Sequence, residues 1–290
     1  MFTIKQASAR TGIPVATLRA WERRYAVVSP RRTESGYRVY DERTLATLTA
    51  MRRLVDQGWS PATAAAEVAD GTAPHGQAGQ GDRQLDTATV QQLTDAFVEA
   101  AAEVDVVAVE ALLEEAFSLG PFETVADTWL MPTLWALGEA WAGGRVDVAG
   151  EHTASHAVMR HLSHAFGAAA SRSGGPRVVV GLPAGAHHEL GALAFATAAR
   201  RKGLGVVYVG ADLPVDSWLR AVRAFPTRAA VITVPTAEDR EPAAETARSL
   251  LQAKGDLVVA AGGGHAHDLA PGVLSLPHSI TAAVGALDAR

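Results

Sequence analysis

The sequence predicts three parts of different fold class: an N-terminal all-α helix-turn-helix with a small wing, a central helical bundle, and a C-terminal parallel sheet covered by helices. Three observations predict them. Short helices broken by glycine and proline fill residues 1–70, apolar residues recur at helical spacing over 87–173, and short apolar strands alternate with amphipathic helices over 176–290. Residues 71–86 are rich in glycine and glutamine without periodicity, which is typical of a linker.

The composition limits the chemistry available to the chain. With 290 residues, 48% of them hydrophobic, the chain can bury several cores. It contains no cysteine, so disulfides, cysteine-based zinc sites and thiol catalysis are excluded, and any metal must be held by histidine or carboxylate. No apolar run approaches the roughly 20 residues of a membrane-spanning helix, and the amino terminus has no signal-like stretch. We therefore expect a soluble, cytoplasmic protein without a membrane partner.

Charge is distributed unevenly along the chain. The net charge is −5, yet residues 1–58 contain eleven lysines and arginines against five acids, a net +6, which leaves −11 for the remainder. Positive charge beside a phosphate backbone releases counterions, and an acidic surface cannot do so. The pattern predicts a polyanionic partner for the first part of the chain only.

Two short helices open the chain. Thr3 can cap a helix that runs to about Ala9, with Gln6 reaching back to Thr3 as in a capping box. The break "TGIP" follows, and Pro14 suits the first turn of a second helix, "PVATLRAWERRY". Two short helices joined by a glycine-containing turn predict a helix-turn-helix.

A basic wing follows the second helix. In "SPRRTESGYRVYDE", Gly36 permits a tight turn between two extended arms. Further helices are predicted over about 41–58 and about 60–70, the latter beginning at a Ser-Pro pair. A helix for the major groove and a wing for the phosphates would then lie side by side. A solvated basic face without a partner is the alternative.

The segments "TIKQASARTGIPVATLRAWERRY" and "SPRRTESGYRVY" resemble the DNA-binding domain of the MerR family of transcriptional regulators, over roughly residues 1–70. The resemblance implies that the chain binds double-stranded operator DNA as a dimer, through the second helix and the wing. It implies major-groove contacts for Arg19 and Arg23. It implies contacts to backbone phosphates for Tyr25, Arg32, Tyr37 and Arg38.

The central and C-terminal parts have different periodicities. Breaks at Gly120-Pro121 and Gly143-Gly144 divide the central part into three or four helices, which predict a bundle. In the C-terminal part the predicted strands are "RVVVGLP", "LGVVYVG", "RAAVITV", "DLVVAAG" and a short "VLSL", with helices over about 189–202, 214–225, 238–253 and 279–289. Nearly continuous apolar strands separated by single helices predict a Rossmann-like, flavodoxin-like parallel sheet, whose ligands bind at the carboxyl ends of the strands.

An ordered set of residues follows those carboxyl ends. "AGAHHELG" places His188 three residues before Gly191, Thr233 ends the third strand, and Gly262 and Gly263 end the fourth. On residue type alone His188 is an ordinary loop histidine. The set resembles the cobalamin-binding pattern Asp/Glu-x-His-x-x-Gly, Ser/Thr-x-Leu, Gly-Gly. The resemblance implies that His188 is the lower axial ligand of cobalt and that the threonine and glycines line a slot for the nucleotide tail.

The sequence departs from that pattern at two positions. Ala186 replaces the carboxylate that orients the histidine ring, and Pro235 replaces leucine. Because such partners fix the tautomer and basicity of a ligand, the loss predicts weaker ligation. His187 is a second candidate ligand with the wrong spacing to Gly191.

In the bundle, "WAGGRVDVAGEH" places Trp141 nine residues before Glu151-His152. This pattern resembles that of the adenosylcobalamin-dependent photoreceptor repressors of the CarH/LitR type. The resemblance implies that Trp141 packs over the upper face of the cofactor beside the Glu-His pair. Core packing of the tryptophan, and a zinc site at His152 and His156, are the alternatives. Ala142 stands where such photoreceptors can carry a second cobalt-ligating histidine.

Taken with its domain order, the resemblance implies a light-responsive transcriptional repressor and no enzyme. Adenosylcobalamin would stabilise a dimeric or tetrameric assembly in the dark, and loss of the adenosyl group in light would release the DNA. Two alternatives stay open: a regulator that senses cobalamin or another ligand without light, and a corrinoid-carrying methyltransferase module.

Overall fold

The computed structural model describes residues 2–25, 28, 31–32, 38–56, 64–65, 68, 86–169 and 175–288. The chain forms two compact units, one of Met1–Asp86 with Glu114–Phe122 and one of Thr87–Leu113 with Glu123–Arg290. Within the described ranges no helix has the length and apolar character needed to cross a membrane.

The first unit contains the predicted helix-turn-helix and wing. Its elements are β1 (Phe2–Thr3), α1 (Ile4–Thr11), α2 (Val15–Tyr25), β2 (Arg31–Arg32), β3 (Arg38–Tyr40) and α3 (Glu42–Asp56). The two arms of the wing pair in antiparallel fashion, as predicted, and β1 pairs with the other edge of β3. Strand β1 was not predicted, because two residues carry no periodic signal.

The first helix confirms the capping box. The Thr3 N–H donates to Oε1 of Gln6 at 2.9 Å, and the Gln6 N–H donates to Oγ1 of Thr3. The helix continues beyond its predicted end to Thr11, where Gly12 adopts the left-handed conformation (φ 68°) and donates to the Ser8 carbonyl at 2.8 Å.

The first unit has its own core, in which α2 buries Leu18 and Trp21 while α3 buries Leu48 and Met51. Tyr40, at the end of β3, is also fully buried there. The predicted linker and nearly all of the helix predicted over about 60–70 lie outside the described residues.

The central part consists of helices that break where the sequence predicts. They are α4 (Thr87–Ala102), α5 (Val106–Ser118), α6 (Phe122–Val125), a π-helical turn (Ala126–Leu130), α7 (Met131–Ala142) and α8 (Val148–Ala168). One further break, at Val104 with φ 55°, was not predicted, because valine rarely adopts a positive φ. The π-helical turn was not predicted either.

Helices α4, α7 and α8 pack against one another through small and aromatic side chains. Phe97 meets the Trp129 ring edge to face, with 5.8 Å between ring centroids. The buried hydroxyls of Thr94 and Thr133 hydrogen-bond to each other at 2.8 Å, so neither polar group is left unpaired.

The C-terminal part confirms the predicted parallel sheet. Its elements are β4 (Arg177–Pro183), α9 (Leu190–Arg201), β5 (Gly205–Leu213), α10 (Val215–Ala224), β6 (Thr227–Thr233), α11 (Arg240–Ala253), β7 (Val258–Gly262), β8 (Leu274–Ser275) and α12 (Ile280–Asp288). The strand order is β5-β4-β6-β7-β8, all parallel. Because the order reverses at β4, the switch point of the sheet lies between β4 and β6, where doubly wound folds bind ligands.

Helices α4 and α8 approach each other closely at Gly150. A Cβ atom there would lie 2.2 Å from the carbonyl oxygen of Ala101 and 3.1 Å from Cγ1 of Val146. Glycine at this position therefore permits a backbone contact that no other residue allows. Gly167, in the last turn of the same helix, has open space around its Cα.

Gly150→Ala is expected to destabilise the protein by about 2 kcal/mol, because the added methyl group forces the two helices apart. Gly167→Ala, the matched control on the same helix, is expected to stabilise it by about 0.5–1 kcal/mol, since alanine has the higher helix propensity. Chemical denaturation of the two variants measures both free energies of unfolding. Equal effects of the two substitutions would contradict the close approach.

Candidate cofactor site and nucleic-acid interface

The loop that carries His188 connects the central strand β4 to α9. The loop turns at Gly185, whose φ is 81°, and both His187 and His188 are exposed. Within the described ranges, neither ring nitrogen of His188 has a hydrogen-bond partner. The structure thus presents an exposed imidazole at the carboxyl edge of the sheet, beside the switch point, as predicted.

Gly191, in the first turn of α9, meets a residue of the bundle. A Cβ atom on Gly191 would lie 3.3 Å from the terminal methyl carbon of Met131, the first residue of α7. The missing side chain therefore lets the bundle approach the histidine loop.

Thr233 and Gly262 are neighbours at the carboxyl ends of β6 and β7, where they pair in the strand register. Gly263 follows with φ 107°, and a Cβ atom on it would lie 2.7 Å from the Val234 carbonyl oxygen. The structure therefore brings the predicted threonine and glycines together on one edge. The φ and the close backbone both require glycine at position 263.

The residues predicted above the cofactor lie at the adjoining ends of α7 and α8. Trp141, near the end of α7, is 52% exposed, which excludes the core-packing alternative. Val148 begins α8 and is 59% exposed. Exposed apolar side chains of this size are available to pack against a ligand.

Glu151 and His152 form a hydrogen-bonded pair in the first turn of α8. Nδ1 of His152 lies 2.7 Å from Oε2 of Glu151, and the Ser155 hydroxyl donates to Oε1 at 2.5 Å. Burial favours a raised pKa of Glu151, but the bonds from Ser155 and His152 and the charges of His152 and His188 outweigh it and lower that pKa.

These features fit a corrinoid whose cobalt takes an imidazole ligand. His188 supplies a free imidazole, a nitrogen ligand that suits cobalt. Trp141 and Val148 supply exposed apolar surface on the bundle, and Glu151, whose pKa is lowered, supplies an ionised acceptor near them in sequence. An open groove of about 440 Å³ lies elsewhere, along one face of α10, and is lined by Asp216, Leu219, Arg220, Arg223 and Ala224.

Polar contacts dock the bundle on the sheet domain. The Asp127 carboxylate, in the π-helical turn, accepts hydrogen bonds from the backbone N–H groups of Ile280 and Thr281 at 2.6 and 3.1 Å. The Ser279 hydroxyl donates to the same carboxylate at 2.9 Å. A second link is the ion pair between Glu123 and Arg201, 2.7 Å long and mostly shielded from solvent.

The other histidines of α8 do not form a zinc site. The rings of His152 and His156 are 6.0 Å apart, and among the described residues no group of three or more histidines and carboxylates is placed to hold a metal ion. His161 is instead largely buried. Burial, together with the nearby charge of His164, lowers the pKa of His161 to about 4.

The predicted DNA-contacting residues lie on the expected elements of the first unit. Arg19 is exposed on α2, and Tyr25 ends that helix partly exposed. Arg38 lies in the wing, where its Nε donates to Glu22 at 2.9 Å, so this arginine is held against α2. Tyr40 also donates to Glu22.

The remaining predicted DNA contacts fall at the limit of the described residues. Arg23 lies on α2 and Arg32 on β2, but both side chains lie outside the described part of the chain. Tyr37 lies wholly outside it.

Several residues that build the site carry no sequence signal. Met131 and Asp127 contact the sheet domain across more than 50 positions of sequence, and no periodicity predicts such pairs. Asp212, near the end of β5, and Tyr208, in the middle of that strand, hold the histidine loop. Among these residues, Asp212 alone has a positive φ, 53°, which is typical of a functional position. A backbone angle of this kind cannot be read from the sequence.

Comparison with known proteins gives three family matches in the order of the domains. Residues 2–69 match the MerR HTH family regulatory protein, and residues 93–165 and 176–286 each match a B12 binding domain. The HTH-type transcriptional repressor CarA of Myxococcus xanthus is 33% identical over 73% of this chain and 68% of its own length. The HTH-type transcriptional repressor CarH of the same organism is 32% identical over 77% of this chain and 75% of its own length.

One solved structure shares the fold of the bundle and the sheet domain. The monomethylamine corrinoid protein of Methanosarcina barkeri is 13% identical, covers 69% of this chain and 99% of its own, and has a TM-score of 0.52. At this identity the likeness concerns the fold alone.

The buried His161 predicts acid sensitivity of the folded chain. Because its pKa falls from 6.5 to about 4 on folding, the unfolded chain binds the proton more tightly, and stability is lost as the pH falls from 6.5 towards 4. His161→Leu is expected to remove about 2 kcal/mol of that loss. Denaturation between pH 7 and pH 4 measures it, with the exposed His278→Leu as control; parallel curves for wild type and His161→Leu would contradict the assignment.

Proposed function

Because the chain belongs to the family of MerR-type transcriptional repressors with cobalamin-binding domains, which includes CarA and CarH, we propose that it is a light-responsive repressor that binds operator DNA as an adenosylcobalamin-stabilised oligomer. Family membership makes the chain a DNA-binding regulator that binds cobalamin. The adenosyl form, the response to light and the dimeric or tetrameric assembly are the proposed part. We expect no catalytic activity.

One observation supports the adenosyl form above the others. An exposed tryptophan and a hydrogen-bonded Glu-His pair lie at the adjoining ends of α7 and α8, and the charge of His188 is among the causes that lower the pKa of Glu151. A small upper ligand would leave Trp141 in water. A nucleoside offers an aromatic face to the indole and hydroxyl donors to the Glu151 carboxylate.

Each side of the site has a separate task. His188 would bind the cobalt, and Thr233, Gly262 and Gly263 would line the space for the nucleotide tail. Adenosylcobalamin supplies a cobalt–carbon bond that light breaks. Trp141, Glu151 and His152 hold the adenosyl side, so loss of that group removes the packing partner of Trp141 and leaves its exposed surface without cover.

DNA affinity then depends on assembly. Two DNA-binding domains (residues 1–70) that are linked in one oligomer bind paired operator half-sites far more tightly than one domain does, by a factor on the order of 10² or more. Residues 59–290 carry a net charge of −11 and are repelled by DNA, so the basic DNA-binding domains must supply the attraction. Weaker contact between the cobalamin-binding parts of two chains therefore lowers DNA affinity without any change in the DNA-binding domains.

A light-independent cobalamin sensor is the second candidate. Ala186 and Ala142 favour it, because the first removes the usual carboxylate partner of the lower ligand and the second removes a histidine available to cobalt after photolysis. In that candidate, cofactor binding alone sets the assembly.

The first test is a band shift under controlled light. The chain is loaded with adenosylcobalamin in the dark and allowed to select a duplex from a random-sequence pool. Green light is expected to weaken binding to that duplex by about 10². Binding that requires the cofactor but ignores light would establish the second candidate. Binding that is the same with and without cofactor would exclude both.

The second test concerns the upper face. Trp141→Ala is expected to weaken adenosylcobalamin binding by about tenfold, since one stacked aromatic contact contributes about 1 kcal/mol beyond its buried area. Binding of hydroxocobalamin, which lacks the adenosyl group, should change little. Trp135→Ala is the matched control, because Trp135 is 73% exposed on the same helix but lies about 240° around it from Trp141. Equal losses in the two variants would contradict the role of Trp141.

A further inference from the structure

The lower ligand lacks the partner that usually orients it. Ala186 is 1% exposed and packs among Leu182, Ala192 and Tyr208, so no carboxylate reaches the His188 ring from position 186. Within the described ranges the ring makes no hydrogen bond of its own. Something else must fix where this imidazole stands, because an unrestrained ligand loses entropy when it binds a metal.

The first half of the histidine loop is held by Asp212. The Asp212 carboxylate accepts a hydrogen bond from the Gly185 N–H at 2.7 Å. Its own N–H donates to the Ala186 carbonyl at 3.0 Å. Asp212 adopts φ 53°, an uncommon conformation for a residue other than glycine, and this conformation accompanies both bonds.

The second half of the loop is held by Tyr208. The Tyr208 hydroxyl donates to the carboxylate of Glu189, the residue after His188, at 2.7 Å. Burial and this hydrogen bond raise the pKa of Tyr208, so the phenol stays a donor at neutral pH. The Tyr208 ring in turn packs against Phe166 of α8, with 6.2 Å between centroids.

Both restraints come from one strand, β5, which is an edge strand and lies beside β4. They reach residues 185, 186 and 189, on both sides of His188. The loop backbone is thereby held directly at Gly185 and Ala186, and on the other side of His188 the loop is held through the Glu189 side chain. The histidine is therefore positioned through its loop and not by a carboxylate that binds its ring directly.

We infer that Asp212 and Tyr208 are the positioning residues of the lower cobalt ligand, and that they replace the carboxylate missing at Ala186 by holding the loop on both sides of His188. This inference rests on the proposed role of His188. It assigns the end of β5 a function in ligation. Through Phe166 it also joins the lower ligand to α8, the helix whose first turn carries Glu151 and His152.

Substitutions at the two positions separate this role from folding. Asp212→Gly removes the carboxylate but accepts the positive φ without strain, and Asp212→Asn keeps an oxygen acceptor and tolerates that φ. Tyr208→Phe keeps the ring against Phe166 and removes only the hydroxyl. Asp256→Gly is the matched control, since Asp256 is exposed at the amino end of β7, away from the ligand edge.

Each full-length variant is titrated with hydroxocobalamin in the dark, and the visible spectrum at saturation reports the share of histidine-ligated cobalt. His188→Ala supplies the spectrum without that ligand. We expect the dissociation constant to rise about tenfold in Asp212→Gly and in Tyr208→Phe, with a partial shift of the spectrum towards His188→Ala. Asp212→Asn and Asp256→Gly should stay close to wild type, and far-ultraviolet circular dichroism should be unchanged throughout.

Two outcomes contradict different claims. If His188→Ala has the spectrum of wild type, His188 is not the ligand and the proposed function loses its lower site. If His188→Ala differs from wild type while Asp212→Gly and Tyr208→Phe do not, only the positioning role is overturned. Equal losses in Asp212→Asn and Asp212→Gly would also overturn it, because the acceptor oxygen would then be irrelevant.

Discussion

The candidate site depends on the docking of the bundle onto the sheet domain, and a single carboxylate accepts three hydrogen bonds across that contact. Asp127 accepts hydrogen bonds from Ser279, Ile280 and Thr281, so a bundle residue caps the first turn of α12. Backbone N–H groups at a helix start have no partner within the helix, and negative charge is stabilised there. Because the proposed cobalt ligand His188 lies on the sheet domain and Trp141 and Glu151 lie on the bundle, neither domain alone contains all residues of the proposed site.

The π-helical turn makes this docking compatible with a well-packed bundle. The N–H of Met131 donates to the carbonyl of Ala126, five residues earlier, so this turn contains one more residue than an α-helical turn. The extra residue changes the direction of the side chains along the helix. Asp127 can then face α12 while Trp129 is fully buried within the bundle and Met131 reaches Gly191. Turns of this kind occur frequently at functional sites.

The sequence predicts this fold best where the signal is local. Alternating apolar strands and amphipathic helices define the sheet, and the positions of His188, Thr233 and Gly262 follow from strand ends. The docking of the bundle on the sheet domain could not be predicted from the sequence, because its partners Asp127 and Ser279 are 152 residues apart. The capping box at Thr3 shows the opposite case, since both partners lie within one turn. A sequence motif identifies a candidate ligating residue, whereas the contacts that position that residue form only in the folded chain.

The departure at Ala186 then has a structural explanation. The side chain at this position points into an apolar cluster with Leu182 and Ala192 and is 1% exposed, so a carboxylate here would lose its hydration unless it reached the His188 ring. With alanine in place, the cluster stays apolar and the loop is restrained from β5 instead, through exposed Asp212 and partly buried Tyr208. Within the described ranges the His188 ring consequently has no hydrogen-bond acceptor, while the backbone that precedes it is held at Gly185 and Ala186. A carboxylate that binds the ring controls both the position and the basicity of the imidazole. A restraint on the loop controls the position only, so this arrangement leaves the basicity to be set separately.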